Sequence, residues 1–394
     1  MLQHLWKLTW KRKTRNLMLT LEILIAFVIV FALAAAGLRN WQLYRMPLGF
    51  QAQDVWSVQL QTNGSTRARD GYVDAFQRAL RELPEVQDVA ITSVRPYAPG
   101  GLSTQVKGPG GVAMRHELIE ASDNFATLLG LDLVEGRWFA RGDDETLVVI
   151  NRAMAAALFP GRSALGQLIV QEGEYTPDRV VGIVSDYRSK GELAAPENVM
   201  FVKFAHGGIL ADVGHTAGTL LIKVAPGIGR AVENRLRDRL TAVRNDWMYE
   251  IVPVDTWRRG MLKQALRPLL ITAVIGAFML IMVAFGLFGA LWQNTTSRIP
   301  EIGLRRALGA RTVDIYGQII AEQFLLSSVA MAVALVLLVQ LPLTGALGPA
   351  LNWPVFFGAA GLSMTVIYLL SLLCSLYPGW RASRLSPTQA LHHE

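Results

Sequence analysis

Apolar residues gather in four runs, 17–36, 269–291, 319–341 and 355–377, each 20 or 23 residues long. A helix rises about 1.5 Å per residue, so each run can cross a hydrocarbon core of roughly 30 Å. The second and fourth runs carry no charge, and the first and third carry one each, Glu22 and Glu322. The pattern predicts four transmembrane helices, with segments 1–16, 37–268, 292–318, 342–354 and 378–394 outside the hydrocarbon.

The long segment 37–268 has a different periodicity. Residues 54–61 put Trp56, Val58 and Leu60 on one side and Val55 on the other, which reads as a strand. Within 66–83, Val73, Phe76, Leu80 and Leu83 recur at helical spacing until Pro84 stops them. Residues 86–93 are a second strand, and the same order returns as strand 219–224, helix 229–244 and strand 249–254. Two strand-helix-strand units bracketing a middle section predict a discontinuous subdomain, about 50–111 and 211–256, with another inserted at about 112–210. In the insert, 114–120, 146–150, 179–185 and 199–204 read as strands and 151–159 as a short helix ended by Pro160 and Gly161. Segment 94–111, with Pro96, Pro99 and five glycines, reads as a joint or mobile loop. The fold class expected is a membrane protein of four transmembrane α-helices, with a large α+β extracytoplasmic (periplasmic) domain between the first and second.

Charge supplies orientation. A formal net charge of +7 invites a nucleic-acid reading until the charges are sorted. Segments 1–16, 292–318 and 378–394 hold eleven basic and three acidic residues, whereas 37–268 holds 27 basic and 26 acidic ones. The positive-inside rule then places both termini and the loop 292–318 in the cytoplasm and accounts for the basic excess without nucleic acid. A cleaved signal peptide is the competing reading, because a basic start, an apolar run and Ala34, Ala35 and Ala36 imitate its three parts. The run exceeds the roughly 7–15 residues of a signal core, and its removal would leave three spans and send the C-terminal arginines outside. The lone cysteine, Cys374, excludes a disulfide framework within the chain.

The search for chemistry is mostly negative. No G-x-x-x-x-G-K-[ST] phosphate loop, H-E-x-x-H or paired Cys-x-x-Cys occurs, so the chain is expected not to be an enzyme, with no catalytic residue, metal or cofactor of its own. His392, His393 and Glu394 read as a polar terminus rather than a metal site. Glu22 and Glu322 stand near the cytoplasmic ends of their spans, where each can snorkel or pair with a loop arginine instead of serving as an ion site. Small residues offer faces for close helix packing: Ala32 and Ala36 in the first span, Gly276, Gly286 and Gly289 in the second.

The most informative stretch is 295–310. Ser297 is a good cap, Pro300 is tolerated in a first turn, Glu301 complements the positive helix end and Gly309 is a natural stop, so a helix is expected at about 298–308. At 100° per residue Ile299, Ile302 and Ala310 fall on one side and Leu304 and Leu308 nearly opposite, with Arg305 and Arg306 between. A helix resting on lipid needs one apolar stripe. Two stripes fit a helix packed on its own membrane base that offers the other side to a cytoplasmic partner.

The run Pro300-Glu-Ile-Gly-Leu-Arg-Arg-Ala-Leu-Gly-Ala310 resembles a segment of the FtsX-like permeases, in their MacB-like branch of ABC transporters. The tail Tyr377-Pro-Gly-Trp-Arg-Ala-Ser-Arg-Leu-Ser-Pro-Thr-Gln-Ala-Leu391 looks like the ending of that family. In the outer segment, Glu135-Gly-Arg-Trp-Phe139, residues 148–159, Ala164-Leu-Gly-Gln167 and Val180-Val-Gly-Ile-Val-Ser-Asp186 are similar to the MacB-type periplasmic core. Pro300 replaces a usual basic residue, and 328–334 lacks the glycines common in the third span.

The resemblance implies a dimer of four-span permeases, with a second copy or a paralogue, on separate ABC ATPase subunits that bind ATP and Mg. It places ATPase coupling at Glu301, Ile302, Leu304, Arg305, Arg306 and Leu308, and implies that ATP-driven tilting of the helices moves the periplasmic domains. A periplasmic adaptor and an outer-membrane channel are further partners in the efflux members. A membrane-anchored periplasmic sensor or scaffold is the alternative, but segments of 27 and 17 residues cannot form a cytoplasmic output domain. A membrane-anchored enzyme would need a catalytic group that does not stand out.

Overall fold

The computed structural model describes residues 13–62, 71–107, 113–171, 176–204, 216–229, 231–297, 299, 302, 304, 305 and 308–383. The tail histidines, Glu301 and Arg306 lie outside the described residues. Two compact units emerge, one of residues 1–42 with 267–394 and one of residues 43–266.

The first, second and fourth predicted spans lie within longer helices, α1 (Lys13–Arg45), α6 (Val254–Thr296) and α9 (Trp353–Ser383), whereas the third, 319–341, begins inside α7 (Thr312–Leu338) and runs past its end into the short α8 (Gln340–Thr344). All four are long and apolar enough to cross a membrane. In the main core of the membrane-type unit, α1 contributes Leu19, Ile23, Phe27, Val30, Phe31 and Ala34, at helical spacing. The third span lacks the usual glycines, yet it packs closely on the fourth through Ala330, Ala334 and Ala359, which are fully buried. Ser327 Oγ and Ser371 Oγ meet at 2.9 Å across the same contact, and Ser328 Oγ lies 2.8 Å from the Tyr368 hydroxyl. Alanine and serine do here what glycine does elsewhere, letting backbones approach while hydrogen bonds fix the register.

The other unit is α+β. Strands β1 (Val55–Gln61), β2 (Val86–Thr92), β10 (Thr216–Val224) and β11 (Met248–Pro253) pair antiparallel in the order β11-β1-β10-β2. The two strand-helix-strand units therefore interleave instead of lying side by side. Helices α2 (Tyr72–Arg81) and α5 (Ala231–Val243) cover one face, burying Phe76, Leu80, Leu236 and Leu240 on Val58, Leu60, Leu220 and Ile222. This is the split β-α-β arrangement, its halves at residues 55–92 and 216–253.

The inserted part consists of β3 (Leu102–Lys107), β4 (Ala113–Ala121), α3 (Phe125–Leu129), β5 (Leu133–Gly136), β6 (Leu147–Asn151), α4 (Arg152–Leu158), β7 (Leu168–Gln171), β8 (Asp178–Val184) and β9 (Val199–Lys203). Pairing runs β4-β3-β7-β8-β6-β9 and returns from β9 to β4, so six strands close into a ring. A third of the segment read as a joint, residues 102–107, is thus strand β3, paired with β4 over its full length. Alternate residues serve different cores: Leu118, Val148, Ile150 and Met200 face one, while Ile119, Val149 and Phe201 face another. Asn151 is fully buried between β6 and α4. Its Oδ1 accepts from Met154 N at 3.1 Å and Val199 N at 3.0 Å, and its amide donates to the Glu197 carbonyl at 2.7 Å. The buried Arg188 guanidinium donates to the carbonyls of Met46 at 2.9 Å and Ala194 at 2.7 Å, tying the chain after α1 to the loop before β9.

Two of the sequence motifs meet in this insert. Gly136, from Glu135-Gly-Arg-Trp-Phe139, stands in register with Gly182 of β8, from the 180–186 motif. Gly136 has a left-handed φ of 73°, and a Cβ on Gly182 would run into the Arg137 carbonyl. Backbone meets backbone there, leaving no room for a side chain. Gly182→Ala is therefore expected to lower the stability of the purified chain by about 1–3 kcal/mol. Gly100→Ala, where a Cβ meets nothing within 4 Å, should be nearly neutral. Thermal unfolding in detergent compares the two, and equal melting temperatures would refute the close-approach argument.

Candidate coupling site

The loop between α6 and α7 begins where Ser297 N–H still bonds to the Gln293 carbonyl at 3.0 Å. Ile299 and Ile302 are buried, at 8% and 5% exposure, whereas Leu304 and Leu308 are 57% and 79% exposed. Ile302 packs on Ile315 of α7, with Ala310 and Ile319 alongside. The two apolar stripes of the sequence are thus unequal: one anchors the loop to the third span and the other faces outward.

The turn is closed as its residues dictate. Gly309 takes a φ of 96°, a conformation that a β-carbon disfavours. The Leu308 N–H then donates to the Leu304 carbonyl and the Ala310 N–H to the Arg305 carbonyl, each at 3.0 Å. Arg311 caps α7, its own N–H donating to Asp314 Oδ2 at 3.2 Å.

Arg305, between the stripes, reaches back toward the span. Its Nη1 donates to Gln318 Oε1 at 2.7 Å, and Gln318 Nε2 donates to Glu322 Oε1 at 3.1 Å. Glu322 is 7% exposed. A chain of hydrogen bonds therefore joins the loop's arginine to the acidic residue of the third span, through a glutamine that sequence reasoning did not single out. The signal was present: Asp314, Gln318 and Glu322 recur every four residues and form a polar stripe entering an otherwise apolar run.

The other singled-out positions lie elsewhere. Glu22 lies against Gly286, whose missing side chain makes room for its carboxylate, and Gly276 likewise admits Leu33. These two glycines serve contact between α1 and α6 within one chain. Ala32 is exposed, Ala36 half-buried, and a Cβ on Gly289 would meet nothing within 4 Å.

Residues 17–239 match the MacB-like periplasmic core domain and residues 273–387 the FtsX-like permease C-terminal domain. The Macrolide export ATP-binding/permease protein MacB of Agrobacterium fabrum is 25% identical over 97% of this chain and 59% of its own length. The Pyoverdine export ATP-binding/permease protein PvdT of Pseudomonas putida is 23% identical over all of this chain and 59% of its own. The chain thus spans about three-fifths of the length of these two relatives. The crystal structure of the periplasmic region of MacB from Actinobacillus actinomycetemcomitans, 18% identical, covers 54% of this chain and 94% of its own, with a TM-score of 0.39. With both domains matched in chain order and the core-domain match alone exceeding half of its residues, the chain belongs to the family of multi-pass membrane permeases that combine a MacB-like periplasmic core domain with an FtsX-like permease domain.

Proposed function

We propose that the chain is the transmembrane part of a MacB-type ABC transporter, in which a separate ATPase subunit supplies ATP and Mg binding and drives movement of the periplasmic domain. The supporting observation is the unequal loop between α6 and α7, with Ile302 buried on Ile315 and Leu304 and Leu308 turned outward. Two neighbouring leucines more than half exposed on a short turn form an apolar handle. Basic residues dominate this loop and both ends of the chain, which fits a cytoplasmic location beside such an ATPase. Both relatives are named as ATP-binding/permease proteins for export. Efflux or envelope maintenance is the corresponding task, in an inner membrane.

The spans fit mechanical transmission better than a pore. Several of their polar groups bond within the bundle, Ser327 to Ser371, Gln318 to Glu322 and Ser363 to the Ala359 carbonyl, although the buried Gln323 amide has no partner among the described residues. On α6, Leu270, Val274, Phe278 and Phe285 are each more than 60% exposed, an apolar face for lipid and for a second permease copy or paralogue. A periplasmic adaptor and an outer-membrane channel complete the reading for export.

Leu304→Asp combined with Leu308→Asp puts two charges where the ATPase is proposed to bury two leucines. An unpaired buried charge costs about 3 kcal/mol or more, so binding should fall more than a hundredfold. Because the leucines are exposed in the free chain, the permease itself should fold normally. Ile299→Asp with Ile302→Asp should instead destabilise the loop. Capture of the ATPase by the detergent-solubilised permease reads the first effect and thermal unfolding the second. Wild-type capture by the folded leucine variant would overturn the assignment.

Gln318→Leu removes the link between Arg305 and Glu322. The permease is expected to lose about 1–2 kcal/mol of stability while the leucine handle stays intact. Combining it with Glu322→Gln should be less than additive, since both changes break one network. Full additivity in a double-mutant cycle would show that the chain of bonds does not act as a unit.

A further inference from the structure

Two membrane helices enter the extracytoplasmic unit, α1 by its C-terminal end and α6 by its N-terminal end, and residues 43–48 and 254–266 belong to that unit. One loop, between β8 and β9, holds both. The Arg188 N–H donates to the Leu48 carbonyl at 3.0 Å, and Arg188 Nη1 donates to the Met46 carbonyl at 2.9 Å. Four residues on, Glu192 Oε1 accepts from Arg258 Nε at 2.5 Å, one turn into α6.

The charges match the helix ends they meet. A helix carries unpaired carbonyls and partial negative charge at its C-terminal end, and partial positive charge at its N-terminal end. Arg188 therefore stands by the end of α1 that attracts a cation, and Glu192 by the end of α6 that attracts an anion. Both residues are buried, at 2% and 6% exposure, so salt screens these contacts little. The loop between them is itself held. The Arg188 guanidinium also bonds to the carbonyls of Glu192 and Ala194. The Ser189 carbonyl accepts from the Tyr97 N–H at 2.7 Å, and Ser189 Oγ donates to Glu117 Oε2 on β4 at 3.1 Å. Fixed from within and from the sheet, the loop keeps its two charged ends at one separation.

A second contact on α6 shows what the loop adds. Trp257 Nε1 donates to Ser57 Oγ at 3.0 Å, and Arg95 stacks on the indole at 3.7 Å. Adjacent residues point about 100° apart around a helix, so Trp257 and Arg258 restrain tilt in different directions. With Trp257 alone, α6 could pivot about the indole.

We propose that Arg188 and Glu192 are a two-ended staple, which fixes the outer ends of α1 and α6 at one spacing so that they act on the extracytoplasmic unit as a single body. This rests on the reading that the unit moves with its helices, and makes Arg188, Glu192 and Arg258 positioning residues for that movement. Its geometry belongs to the permease chain alone and is tested there.

The test uses the full chain in phosphatidylcholine nanodiscs without an ATPase. Cys374 is replaced by Ala, and spin labels are placed on cysteines introduced at Tyr44, which is 52% exposed, and at Lys263, also exposed. Double electron–electron resonance then reads the spacing of the two helix ends, and thermal unfolding checks the fold. The parent is expected to give one narrow distance population. Arg258→Gln removes the charge that Glu192 holds, from a side chain 45% exposed, and should lose that single population while the melting temperature stays near the parent's. Glu192→Gln should do the same, and the double variant no more, since one contact is lost in all three. Arg258→Lys keeps the charge and should keep the narrow population. Arg259→Gln is the control, because Arg259 bonds to Asp255 of its own helix, and should change nothing. A broad parent distribution, a parent-like one in folded Arg258→Gln, or equal broadening in Arg259→Gln would each overturn the staple. None of these outcomes touches the ATPase reading, which is decided by capture through Leu304 and Leu308.

Discussion

Hydrocarbon offers a peptide group no hydrogen-bond partner, and this constraint determines where everything else in the chain can be. It makes the four apolar runs helices, because only a helix satisfies its own backbone within one segment. It also dictates the few polar side chains those helices carry. Ser363 Oγ returns to the Ala359 carbonyl at 2.6 Å, Ser327 meets Ser371, and Glu322 is joined by Gln318. With small residues such as Ala330 and Ala334 fully buried between helices, little space remains there for chemistry. The work must lie at the helix ends and in what is attached to them.

Outside the hydrocarbon a different economy holds. In the extracytoplasmic unit, strands have apolar residues on both faces, so successive residues such as Val148, Val149 and Ile150 enter alternate cores. That is the period of two turned to advantage: a strand such as β6 is a wall shared by two compartments. The close approach of Gly136 and Gly182 falls where β5 ends beside β8 and the backbone of Arg137 lies over Gly182.

The spans, the strand-helix-strand pair and four strands of the insert were legible because each had length or a clean period. Strand β3 was not, since the glycines and prolines around it mask Val106, its one fully buried residue. Strands β5 and β7 are four residues each, too short for alternation to declare itself, and β5 is exposed throughout. At the loop, 3.6-residue geometry sorted Ile299 and Ile302 from Leu304 and Leu308, but it could not say which pair was buried. That depended on Ile315, on the next helix. The partners of Glu22 and Glu322 were hidden for a similar reason. A glycine that makes room and a glutamine that bridges are unremarkable letters until helices are placed side by side.

The composition of the loop also bears on how it could carry a load. Apolar contact is non-directional, so leucines such as Leu304 and Leu308 hold a partner against separation but resist sliding weakly. Each contributes roughly 1.5–3 kcal/mol when fully buried, enough to hold a partner yet within reach of release. Hydrogen bonds have preferred angles and resist displacement in a stated direction. In the loop the two kinds of contact are separated: the leucines face outward, whereas Arg305, Gln318 and Glu322 run inward and along the axis of α7, the last two one turn apart. In the proposed coupling, a pull received through the non-directional surface would be handed to directional bonds that run along a transmembrane helix. Reversing the two, with charges outside and leucines within, would bind the partner through water-screened contacts and let the helix slip beneath the loop.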